Sequence, residues 1–101
     1  MTPAIEIGKD RVTEFCIRHG IRRLALFGSV LRKDFRSDSD VDVLVEFQPG
    51  TAIGYFGLAR LERELSALLD GRKVDLRTPQ ELSRYFRASV LNEAYVIYGP
   101  G

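Results

Sequence analysis

Two acids, Asp40 and Asp42, open the apolar run "SDVDVLVEF", and a third, Asp75, stands between Val74 and Leu76. A strand that only filled a core would not need acid at its start. Residues two apart on a strand point the same way, so Asp40 and Asp42 can converge on one hard cation. Their mutual repulsion favours such a cation, and Mg²⁺ takes few carboxylates together with phosphate oxygens and water. With Asp75 as a third ligand, the acids can hold two Mg²⁺ ions about 4 Å apart, one activating an attacking hydroxyl and one clamping a triphosphate. Upstream, Gly28 and Ser29 end another apolar run. A glycine lets backbone approach a phosphate, a following helical turn presents N–H groups to anions, and the Ser29 hydroxyl adds a donor. Arg32 and Lys33 lie on that turn, where they could steady the terminal phosphates. Each piece alone has an ordinary reading as a turn, a loop end or a solvated charge. The ordered combination points to phosphoryl or nucleotidyl transfer from a metal-bound triphosphate.

The elements that must position these residues follow from periodicity. Val12, Phe15 and Cys16 recur at helical spacing between about Ile7 and His19, with Gly20 where a helix commonly stops. His19, at that helix end, suits the dipole there better than a metal. Leu24 to Phe27 reads as a short buried strand closing at Gly28. In "VDVLVEF" the residues Val41, Val43, Val45 and Phe47 share one face and Asp40, Asp42, Leu44 and Glu46 the other, so one face is core and the other chemistry. Leu58, Leu61, Leu65, Leu68 and Leu69 mark an amphipathic helix ending near Gly71. "KVDLRT" is a third strand. "TPQEL" supplies Thr78 as N-cap, Pro79 at the first helical position and Glu81 in a capping box, predicting a helix directly from there through Tyr85 and Phe86 toward Asn92. "AYVIYG" is a candidate fourth strand.

The expected fold class is α/β (α+β): a small mixed sheet of three to four strands flanked by helices. The first two strands are too close in sequence for a crossover helix and should be antiparallel. The third, reached through the Leu-rich helix, can lie parallel beside the second, bringing Asp75 within reach of Asp40 and Asp42. A length of 101 residues supports a single domain over 1–101, with no room for a separate lobe to enclose a substrate. Fifteen Lys and Arg against fourteen Asp and Glu, net +1, encode no general attraction to nucleic acid. The single Cys16 reads as a reduced core residue of a cytoplasmic protein. No apolar run approaches the roughly 20 residues that span a bilayer, and "MTPAIEIGKDR" carries no export signal.

Gly28-Ser29, ten residues, then Asp40-x-Asp42 resembles the signature of the nucleotidyltransferase superfamily that includes DNA polymerase beta. "LFGSVLRKDFRSDSDVDVLVEF" is similar to its minimal members (MNT), the MntA-type antitoxins of HEPN/MNT toxin–antitoxin pairs, and the likeness runs from the first helix to "LNEAYVIYG". The resemblance implies a nucleotidyltransferase fold. It also implies that Gly28 and Ser29 bind triphosphate, that Asp40 and Asp42 bind metal, and that Asp75 is the third carboxylate, assisting the attacking hydroxyl. Arg32 matches an arginine often found after the Gly-Ser pair; where many relatives read Ala-Arg-Gly, this chain has Leu31-Arg32-Lys33. The implied activity is Mg²⁺-dependent transfer of AMP from ATP to a tyrosine of a partner HEPN toxin, silencing it. Two alternatives stand beside it. One is an antitoxin that binds without catalysis, with Tyr55, Phe56, Tyr85 and Phe86 as aromatic anchors. The other is nucleotidyl transfer to a small-molecule hydroxyl.

Overall fold

A helix whose apolar residues recur every three or four positions must bury that stripe, and the two longest-range stripes of this chain bury against the same sheet face. The computed structural model describes residues 8–31, 40–51, 53–82 and 84–99. In chain order the elements are α1 (Lys9–Arg18), β1 (Ile21–Phe27), a 3₁₀ turn (Gly28–Leu31), β2 (Val41–Phe47), α2 (Tyr55–Leu68), β3 (Val74–Arg77), a second 3₁₀ turn (Pro79–Glu81), α3 (Arg84–Glu93) and β4 (Tyr95–Tyr98). The strands form one sheet in the order β3-β2-β1-β4. β1 is antiparallel to both β2 and β4, and β2 is parallel to β3. The mixed sheet of the sequence reading is therefore present, with "AYVIYG" supplying its fourth strand.

Val12, Phe15 and Cys16 of α1 and Leu61 and Leu65 of α2, with Leu69 just beyond it, form one buried cluster with Leu24, Leu26, Val41, Val43, Val45, Val74 and Leu76 of the strands. Alternation along each strand sends the neighbouring residues to the opposite face. That second face is not purely polar, as the strand pattern suggested: Ala25 and Leu44, paired across β1 and β2, are 0% and 1% exposed. Arg23 and Glu46, the next pair on this face, are joined by a 3.2 Å ion pair.

Two local details depart from the sequence reading, and the expected end of α2 near Gly71 gains a second left-handed residue. β1 begins at Ile21, three residues before the apolar run, because Arg22 and Arg23 still continue its extended pairing region around a register shift. At the end of α2 the left-handed position is taken by Asp70 (φ 60°) as well as Gly71 (φ 80°), and the Gly71 N–H donates to the Ser66 carbonyl at 2.8 Å. This six-to-one bond closes the helix, and aspartate is one of the few residues that tolerates that backbone region. Finally, the capping box of Thr78 and Glu81 is present but closes a single 3₁₀ turn; Leu82 is extended (φ −77°, ψ 139°), and α3 starts afresh at Arg84.

α2 also secures the edge strand. The Leu76 N–H donates to the Glu62 carboxylate at 3.0 Å, which satisfies a backbone donor on β3, one of the two edge strands. His19 at the end of α1 lies 2.8 Å from a Glu64 carboxylate oxygen of α2, without hydrogen-bond alignment, and its ring lies 4.8 Å from that of Phe15. Among the described residues no helix is long and apolar enough to cross a membrane. Burial pushes the Cys16 thiol up to about 12, so alkylation by iodoacetamide at pH 8 should be slow in the native protein and fast after unfolding in urea. Leu65→Ala should lower unfolding free energy by about 3 kcal/mol, read as a reduced urea midpoint with unchanged slope, because its side chain fills the sheet–helix core.

Candidate functional site

The site begins with strand register. Antiparallel pairing sets Asp42 opposite Phe27, the last residue of β1, and parallel pairing sets Asp42 opposite Asp75 on β3. Asp42 thus stands between the end of β1 and the third acid, with neighbouring strands about 4.8 Å apart. Asp40 lies one residue outside β2, exposed, where the Val41 N–H donates to the Lys73 carbonyl at 2.8 Å and starts the β2–β3 ladder.

Immediately after Phe27 the chain turns at Gly28, whose φ is +75°. A Cβ added there would run into the Asp42 carboxylate, with Asp42 Cγ only 3.2 Å away. Glycine is required twice over, by backbone conformation and by the approach of an acid. Ser29 continues into the 3₁₀ turn, which places its backbone beside the same strand end. The Ser29 side chain, Arg32 and Lys33 lie outside the described residues.

Arg77, two residues beyond Asp75 and so on the same face, was not singled out by the sequence reading. Its guanidinium donates to the Asp75 carboxylate at 3.2 Å and lies 3.7 Å from Glu81 on the following turn. The Asp75 charge and the hydrogen bond to it hold the guanidinium above its ordinary pKa, with smaller contributions in the same direction from Glu81 and Asp42. That Asp42 contributes places it in the same electrostatic neighbourhood. The signal in sequence was the two-residue strand spacing "DLR", read for its acid and not for its base.

The structure therefore brings together Gly28, Asp42 and Asp75, and sets Asp40 two residues from Asp42. As their side chains stand, no three Asp, Glu, His or Cys among the described residues are gathered into a set that could hold an ion. The donor chemistry nevertheless suits a hard cation: carboxylates from two adjacent strands at the end of a sheet, one of them now engaged by arginine. A polar hollow of about 400 Å³ lined by Arg22, Glu46, Gln48, Thr51, Thr78 and Gln80 lies toward the opposite ends of β2 and β3 and includes none of these acids.

Residues 9–97 match the nucleotidyltransferase domain family model, and the chain belongs to that family. It is 40% identical over 81 residues to the protein adenylyltransferase MntA of Thermococcus cleftensis, a match spanning 80% of this chain and 77% of the relative. Its fold is similar to that of a toxin–antitoxin crystal structure with AMP-PNP (TM-score 0.72, 19% identity, 93% of this chain and 75% of the other). It is also similar to a complex of tri-AMPylated Shewanella oneidensis HEPN toxin with MNT antitoxin (TM-score 0.59, 20% identity, 91% and 70%).

The geometry at Gly28 generates a test. Gly28→Ala should cost about 1–3 kcal/mol of stability, measured by urea denaturation, because it combines left-handed backbone strain with a clash against Asp42. An unchanged midpoint would show that the strand end can move away from Asp42.

Proposed function

We propose that this chain is an antitoxin that transfers AMP from ATP to a tyrosine of a cognate HEPN-type toxin and thereby silences it. The observation that carries the reading is the register of Asp42 between the Gly28 turn and Asp75, in a chain 40% identical to a protein adenylyltransferase. In this reading Gly28 and Ser29, with Arg32 that follows in sequence, bind the far end of the triphosphate, which the absence of a Cβ at Gly28 allows to approach the backbone. Asp40, Asp42 and Asp75 would hold two Mg²⁺ ions, which would supply neutralisation of the phosphate charge and a lower pKa for the incoming hydroxyl. Asp75 takes the proton of the tyrosine hydroxyl as its oxygen attacks the α-phosphorus in line. The new tyrosine O–P bond forms as the bond between the α-phosphorus and its bridging oxygen breaks, and pyrophosphate leaves. The acceptor arrives on a partner protein, in keeping with the toxin complexes whose antitoxins share this fold.

One observation favours a second reading, an antitoxin that acts by covering its toxin: Phe56, in the first turn of α2, is 92% exposed and available as an anchor. The side chains of Tyr55, Tyr85 and Phe86 lie outside the described residues.

Isotope position separates these outcomes. With Mg²⁺, the partner toxin and ATP labelled at the α-phosphorus, label should become fixed on a toxin tyrosine, whereas label at the γ-phosphorus should not. γ-Label on the toxin would instead indicate a kinase, and no label from either position a binding antitoxin. Asp42→Asn and Asp40→Asn should each reduce α-label transfer by at least about 100-fold while leaving the unfolding free energy from urea denaturation within about 1 kcal/mol of the parent, since neither acid fills the apolar core. Wild-type transfer by either variant would remove that acid from the proposed ligand set.

A further inference from the structure

Asp42 and Asp75 face each other across adjacent strands, and like charges in such a position repel. Among the described residues, Arg77 brings a cation to this pair. Arg77 donates to the Asp75 carboxylate at 3.2 Å, and its other terminal nitrogen lies 3.7 Å from Glu81, whose second oxygen accepts from the Thr78 N–H and hydroxyl. The guanidinium is thereby stretched between the site acid and a turn that is itself braced by a capping box. Asp75 and Arg77 are 37% and 47% exposed, so their ion pair is weak enough to exchange.

We infer that Arg77 is a positioning residue that occupies Asp75 as an internal counter-ion until a divalent cation displaces it, so that the site stays folded without metal and takes up the cation only weakly on its own. Arginine suits this task because its fork can leave Asp75 while remaining beside Glu81. The acids can then coexist in register before a nucleotide arrives, and the cation is favoured once phosphate oxygens add their ligands. The inference rests on the proposed reading of Asp42 and Asp75 as cation-binding acids.

The test uses Mn²⁺ alone, without nucleotide, titrated against the whole protein and followed by the electron paramagnetic resonance of free Mn²⁺. Arg77→Gln should bind Mn²⁺ about three- to ten-fold more tightly than the parent, since a positive charge a few ångströms away has been removed. Arg77→Met, which keeps the aliphatic stem, should do the same, and Arg77→Lys, which keeps the charge, should stay close to the parent. A merely structural role would loosen the site and weaken binding in every variant. Unchanged or weaker Mn²⁺ binding by Arg77→Gln and Arg77→Met would overturn the inference. Asp42→Asn and Asp75→Asn separate this from failure of the underlying reading. If both acid variants weaken Mn²⁺ binding and the Arg77 variants do not strengthen it, the arginine inference alone fails. If neither acid variant changes Mn²⁺ binding, the cation does not bind at these acids and the inference falls with that reading.

Discussion

The parallel pairing of β2 with β3 is the constraint on which the acidic face depends. It sets Asp42 against Asp75, an arrangement that electrostatics alone opposes. What holds it is the other side of the same strands. Val41 and Val43 of β2 and Val74 and Leu76 of β3 are all buried in the common core, so slipping the register by one residue would turn apolar side chains to solvent and acids into the core. The hydrophobic face thereby enforces a charge arrangement on the opposite face. Glu62 adds to this from α2 by accepting the Leu76 N–H, which ties the edge strand to the helix that delivers it.

The central position of β2 has a second consequence. Because β1 pairs on its other side, the end of β1 and the Gly28 turn arrive beside Asp42 without any contribution from a distant loop. The space they share is narrow, and a Cβ at this left-handed turn would press on the Asp42 side chain. Both α1 and α2 contribute to the core on the opposite face of the sheet, so the helices build stability without covering the acids. Buried Ala25 and Leu44 give the acidic face an apolar middle, and the polar groups concentrate toward the strand ends.

Arg77 shows how this compact arrangement tolerates its own charge. A guanidinium two residues from Asp75 needs no additional element to reach it, because strand geometry already places both on one face. Its second approach, to Glu81, depends on the chain turning at Pro79 straight after β3. That turn is short for a physical reason visible in the backbone: Leu82 is extended, which prevents the 3₁₀ hydrogen bonding from propagating into α3.

The sequence by itself determined what depends on local periodicity and local chemistry. The alternation of Val41, Val43 and Val45 marked β2 and its core face; the leucine spacing marked α2; Thr78 and Glu81 marked a capping box; and Gly28 with Asp40, Asp42 and Asp75 marked a candidate site. Tertiary structure decided the rest, because it depends on which strands lie side by side. Only the register shows that Asp42 opposes Asp75 and that Gly28 is pressed against Asp42. The role of Arg77 was hidden because a solvated arginine and one paired with an acid look alike in sequence. Likewise, a capping box signals that backbone donors are satisfied at a helical start but not how many turns follow, so the break at Leu82 emerged only from the folded backbone.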